Sequence, residues 1–262
     1  MEFLTIVLSG LLGLLSPVGF GIEQVAQRTL RSQLEDVETL TVRIDNTPNW
    51  QIAQGRVDRI RIAGRGISPI ADLRIDTLEI ETDPIALQPA SLRSGNLQLE
   101  QPLNAGIRLV LSRDDLNRAL QSPAFMAQFR DLNLDALGAA TQPLDRYDLV
   151  QPQLEFLEHD RLRFQVTLQA QQSATQLAIE AETGIRWIAG RQLELVEPTV
   201  TINERSLPPQ LLALLLGGIS QQLDLSRLES QGITARVLAW DIQPDRIELA
   251  TFVRVDPSFT ID

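Results

Sequence analysis

The sequence predicts an α+β fold carried by an antiparallel sheet, on three observations. Apolar residues alternate with polar ones in most segments beyond residue 40, the period of a strand with one wet face. Helical spacing is confined to a few short stretches. Strands and helices never alternate as a parallel sheet would require. The chain has 262 residues, 44% apolar and 22% charged, which is long enough for a sizeable core and excludes a disordered or collagenous chain.

From Phe3 to Ile22 no residue is charged, a length that could span a bilayer. Glycines and Pro17 interrupt it, so the unbroken apolar part, Phe3–Leu15, has the length of a signal peptide or a buried helix. Glu2 stands where an export signal would be positive, and no small-residue cleavage site follows. Residues 1–16 are therefore expected to be an anchor, a signal or a buried helix, and Phe3–Leu15 is expected to hold the protein at a membrane. Residues 17–256 are expected to form one domain, with 257–262 as a tail.

After Pro17, Ile22, Val25, Ala26, Thr29, Leu30, Gln33 and Leu34 share one face at helical spacing. The period then becomes two. Val42 with Ile44, Ile60 with Ile62, and Leu73 with Ile75 mark strands, separated by turns at Asn46–Pro48, Gly64-Arg-Gly66 and Asp83-Pro84. The apolar phase slips by one between Ile75 and Leu78, which predicts a bulge at Asp76–Thr77. Ser112–Leu120 begins with a Ser-x-x-Asp form of the capping box and is expected to be a helix. Arg161–Gln169 is the cleanest strand, with Leu162, Phe164, Val166 and Leu168 on one face. Further strands are expected near Leu177–Trp187, Gln192–Ile202, Ile233–Trp240 and Ile247–Val255. A helix is expected from Ser206 through Leu216, with Pro208 and Pro209 in its first turn, where unpaired amides tolerate proline. The run Leu207–Ile219 is apolar on all sides, so it is either fully buried or meets something apolar that is not protein. Leu97–Pro102 and Leu193–Pro198 share L-x-L-x-x-P, an echo that is either chance or a duplicated unit.

Chemistry is nearly absent. There is no cysteine, no lysine and a single histidine, His159, so thiolate chemistry, Schiff bases and a three-histidine zinc site are excluded. No phosphate-binding loop, nucleophile elbow or zinc-protease motif occurs. His159 reads as an exposed hairpin turn, and carboxylate pairs such as Glu79 with Glu81 are expected by chance among 34 acidic residues. No catalytic residue, metal site or cofactor is expected. The net charge of −11 argues against nucleic acid as a partner. Arg56, Arg59, Arg61 and Arg65 form one locally basic stretch. Arg59 and Arg61 share a strand face as candidates for an anionic headgroup, or else face acidic partners across the sheet.

Three runs together carry a resemblance: Val57–Ile62, Ala71–Ile85 and Leu111–Leu120. Their order and spacing resemble the LmeA-type phospholipid-binding proteins, in the form found in cyanobacteria. The likeness is firm from Leu34 to Ser122 and looser to Val255. It implies a curved antiparallel sheet wrapped around a long N-terminal helix, as in tubular lipid-binding domains, and it transfers no catalytic motif. On that reading the protein is a non-enzymatic phospholipid-binding or transfer protein, associated with a membrane of the cell envelope or thylakoid. Val25, Leu30 and Leu34 on the first helix and Leu211, Leu215 and Ile219 on the last line its apolar groove. The alternative is a membrane-tethered interaction or scaffold domain with a closed core and an unknown protein partner.

Overall fold

Alternating strands dominate the computed structural model, which describes residues 23–47, 49–88, 98–128, 147–171, 173–208, 212 and 224–259. The expectation for Phe3–Leu15 lies outside the described residues, and so do Leu211, Leu215 and Ile219 of the expected last helix; its expected first residue, Ser206, pairs in a strand instead, ahead of Pro208. The described chain divides into two compact units. Unit 1 comprises Met1–Leu111, Leu225–Trp240 and Glu248–Asp262; unit 2 comprises Ser112–Asp224 and Asp241–Ile247.

Unit 1 opens with helix α1 (Glu23–Ser32), ten residues of the expected amphipathic segment, lying against strand β1 (Asp36–Asp45). Leu30 is buried there, and Gln27 donates its side-chain amide to the Leu40 carbonyl. A 3-10 turn (Asn49–Gln54) leads to β2 (Arg56–Val57) and β3 (Arg59–Ile70), followed by β4 (Leu73–Thr82), β5 (Ile85–Ala86) and β6 (Leu103–Ser112). With β12 (Ile233–Ile242) and β13 (Arg246–Val255) they form a six-stranded sheet in the order β1-β3-β4-β6-β13-β12, β2 and β5 pairing separately. The pairs β1–β3, β3–β4 and β4–β6 are antiparallel. Leu40, Val42, Ile60, Ile62, Leu78, Ile80, Leu103, Ile233 and Val253 belong to one buried core, on which Leu34 packs half-buried.

The glycines of Gly64-Arg-Gly66 do not end a strand, contrary to expectation: β3 runs through them. Gly66 has φ +57, and a Cβ there would meet Glu38 Cδ at 2.4 Å. The positive φ favours glycine, and any side chain there would also displace Glu38, so glycine lets the strand continue without strain. This also relocates the expected bulge. On either side of the row Glu38, Gly66 and Asp76 the three strands keep a single register, Thr39↔Arg65↔Thr77 and Val37↔Ile67↔Ile75. No residue is inserted at Asp76–Thr77. The phase slip accompanies the left-handed turn of backbone at Gly66 instead, and Ile67 reaches the same face as Leu40, its Cδ1 lying 2.5 Å from where a Gly64 Cβ would stand.

Register shifts occur elsewhere, each at an in-strand proline. The extra residue falls at Ser68-Pro69 in β3, at Gln151-Pro152 in β7 (Tyr147–Leu157) and at Glu197-Pro198 in β10 (Gln192–Ile202). Proline cannot donate to the ladder, so a bulge is where a strand accommodates it. The L-x-L-x-x-P echo has no common structure, since Pro102 precedes β6 whereas Pro198 sits inside β10.

Unit 2 contains helices α2 (Arg113–Leu120) and α3 (Pro123–Gln128) and a five-stranded sheet ordered β11-β10-β9-β8-β7, with β8 at Arg161–Ala170, β9 at Gln176–Ile188 and β11 at Arg205–Ser206. Ser112 caps α2 as expected: its Oγ accepts from the Asp115 amide at 3.0 Å and donates to Asp115 Oδ2 at 2.6 Å. The expected strands at 161, 177, 192, 233 and 247 are all present, each within two residues of the expected ends. β7 falls where no strand was expected, because Gln151-Pro152 breaks its alternation.

Candidate functional site

The sequence of β8 decides what the unit 2 sheet offers. Leu162, Phe164, Val166, Leu168 and Ala170 project from one side of this strand. Its register places Phe156 and Leu154 of β7 beside Leu162 and Phe164, and Ala181 and Ile179 of β9 beside Phe164 and Val166. Beyond these, Val200 and Ile202 of β10 stand opposite Ala181 and Ile179. One face of the sheet is therefore apolar across four strands.

That face is unevenly covered. At one end Val166, Leu168, Leu177 and Ile202 close over a fully buried Tyr147. The Tyr147 hydroxyl has no hydrogen-bond partner among the described residues. Towards the other end Leu162, Phe164, Ala181, Ile185 and Leu195 are only half-buried. A continuous apolar strip thus runs from a closed core to a partly open margin.

The opposite face is a charge lattice. Arg163 reaches Glu155 at 3.2 Å and Glu182 at 3.1 Å, and Arg161 donates to Glu182 at 2.9 Å. The hydrogen bond from Arg161, then that from Arg163, holds the Glu182 carboxyl below the usual carboxylate range against the opposing effect of burial. Such a lattice makes one side of this sheet polar.

A cleft of about 640 Å³ lies between α2 and the outer edge of β7, lined by Arg113, Asp114, Asn117, Gln121, Gln153 and Glu155 around Leu154 and Phe156. Asn117 spans it. Its Nδ2 donates to the Leu154 carbonyl at 2.9 Å and its Oδ1 accepts from the Leu154 amide at 2.7 Å, as a neighbouring strand would. Gln121 donates to the Pro152 carbonyl at 3.1 Å. Asn117 and Gln121 thus cover a sheet edge.

Of the residues singled out in the sequence, the structure describes the surroundings of Leu30, Leu34, Arg59, Arg61 and His159. Leu30 and Leu34 belong to the unit 1 core beneath α1. Val25 lies on α1, its side chain outside the described residues, as are Leu211, Leu215 and Ile219. Arg59 and Arg61 stand on the exposed face of unit 1, Arg59 bound to Glu81 at 3.0 Å and Arg61 to Asp45. His159 occupies the exposed turn between β7 and β8 at φ +61, as expected. The half-open strip on β8 and β9 lies outside the residues singled out in the sequence, where its signal is the unbroken alternation of Leu162 to Leu168.

No cluster of three or more metal-ligating side chains occurs among the described residues, and no helix there is long and apolar enough to cross a membrane. The model of a family described as LmeA-like phospholipid-binding matches residues 16–252, nearly the whole chain. No curated protein and no solved structure gives a match.

Proposed function

The chain belongs to the LmeA-like phospholipid-binding family, and from that membership we propose that it is a non-enzymatic phospholipid-binding or transfer protein that holds acyl chains against apolar sheet surface. The observation that carries this reading is the half-open strip of Leu162, Phe164, Ala181, Ile185 and Leu195 in unit 2. A ten-carbon stretch laid on such a surface gains about 8 kcal/mol gross, at ~0.8 kcal/mol per buried methylene. Loss of free motion and ordering of the chain remove much of that. No polar chemistry is required.

In this proposal Leu211, Leu215 and Ile219 supply further lining to the acyl site, and Val25, Leu30 and Leu34 serve the same purpose in unit 1. A sheet curved around a long N-terminal helix, of which α1 is the described part, would give unit 1 the tubular lipid-binding form. Phe3–Leu15 would tether the protein to a membrane of the envelope or thylakoid. Deleting Phe3–Leu15 should release it from the membrane pellet.

Native mass spectrometry of the purified protein tests the central claim. Phospholipid should co-purify, and Phe164→Asp, which sets a charge on the strip, should remove it while far-ultraviolet circular dichroism stays unchanged. A lipid-free mass that takes up no phospholipid would leave a closed interaction domain as the better reading.

A further inference from the structure

The hairpin joining β9 to β10 runs past the strands beside it. β8 pairs with β9 as far as Arg161↔Gly184, and the Ile185 amide still donates to the Asp160 carbonyl at 3.0 Å. Beyond that, Arg186, Trp187 and Ile188 pair only with Glu194, Leu193 and Gln192 of β10 among the described residues. Four residues at ~3.3 Å each carry Ile188 about 13 Å past the last β8 pair. The turn is closed by the Arg191 amide, which donates to the Ile188 carbonyl at 3.1 Å, with Ala189 at φ +50 and Gly190 at φ +66.

This one turn is apolar where solvent reaches it. Ile188 is 45% exposed, and Ala189 beside it is exposed as well. Trp187 follows Ile185 on the apolar face of β9, opposite buried Leu193, so the open margin of the strip leads directly into the hairpin. The turn is also locally basic. From Ile185 to Leu193 there are two arginines and no carboxylate, in a chain of net charge −11. Arg186 is engaged by Glu194 at 2.7 Å, whereas Arg191 is exposed and has no carboxylate partner among the described residues. The adjoining turn carries Glu158 and Asp160, but the Asp160 carbonyl holds it level with Ile185, short of the tip. Aliphatic and tryptophan side chains beside an arginine suit the headgroup level of a bilayer, and a guanidinium fork matches phosphate oxygens.

We propose that the tip Trp187–Arg191 docks on an anionic phospholipid bilayer, with Ile188 and Ala189 entering the headgroup layer and Arg191 binding a lipid phosphate. The open margin of the unit 2 strip then faces the membrane from which acyl chains come. The proposal rests on the preceding reading for phospholipid as the class of partner. The overall field of an acidic chain repels such a surface, which leaves docking to a projecting basic tip.

The chain has no cysteine, so a single introduced one can report on the tip alone. A polarity-sensitive fluorophore on Ile188→Cys should shift to the blue with vesicles of phosphatidylcholine and phosphatidylglycerol, and much less with phosphatidylcholine alone. The same fluorophore on Gln171→Cys, in the exposed turn at the other end of this sheet, should not shift. In co-sedimentation of the otherwise native full chain, Arg191→Gln should weaken binding to the mixed vesicles about fivefold, as expected for one basic residue near an anionic surface. Arg191→Lys should preserve most of it, Ile188→Asp should abolish it, and Ile188→Trp should strengthen it. An unshifted fluorophore at position 188, an equal shift at 171, or equal binding by wild type and Ile188→Asp would overturn the proposal. Native mass spectrometry separates it from the acyl site. Phospholipid that co-purifies although the tip does not dock leaves the acyl site standing and refutes the docking; docking through the tip by a chain that takes up no phospholipid does the reverse.

Discussion

Gly66 carries more of unit 1 than its size suggests. It combines a left-handed backbone with the absence of a side chain facing Glu38. Replacing it by alanine should cost about 1–3 kcal/mol, the usual cost of a non-glycine residue held in that region. Gly106 on β6 is the control, since a Cβ there meets nothing within 4 Å. Gly106→Ala should be neutral or stabilising, because it restricts the unfolded chain. Thermal unfolding of the two variants measures the contrast, and equal melting temperatures would refute the account of β3. Ser112 is a second position of this kind. Its hydroxyl serves the Asp115 amide and the buried Asp115 carboxylate together, so Ser112→Ala should destabilise unit 2 by about 1 kcal/mol or somewhat more.

Elements in this protein are shaped by prolines and by what closes their edges. β7 is an edge strand, and α2 covers it through Asn117 and Gln121. Asn117→Ala leaves the Leu154 amide and carbonyl without that cover, at a cost of about 1–3 kcal/mol. Hydrogen exchange should then quicken first at Leu154. The lattice on β7, β8 and β9 makes a pH prediction. Because the native Glu182 carboxyl titrates below its unfolded counterpart, its contribution is fully present above the ordinary carboxylate range. It is lost as the pH falls through that range to the lowered native value. Glu182→Gln should therefore lower stability near neutrality and flatten the acid limb of the stability curve, the two proteins converging at the acid end. A constant gap between the curves at every pH would argue against this lattice as the source.

For the molecule as a whole, the sequence determined the period of most of the long strands, β6 and β7 excepted. Arg161–Gln169 and Ile247–Val255 show through alternation alone, because a sheet with one wet face writes its burial directly into the order of residues. The same reading fixed the cap at Ser112 and the turn at His159, both local matters, and it identified the family on which the lipid reading stands. Tertiary structure decided what depends on neighbours distant in sequence. The in-strand role of Gly64 and Gly66 hangs on Ile67, Leu40 and Glu38, and the bulges at Pro69, Pro152 and Pro198 required the partner strands to define a register. Arg59 and Arg61 share a face, as their spacing indicated, yet only strand pairing revealed that Glu81 and Asp45 engage them. Periodicity tells which side of a strand is oily. How far another element covers that side is set by long-range packing, and this is why the half-open strip of unit 2 became visible only in the fold.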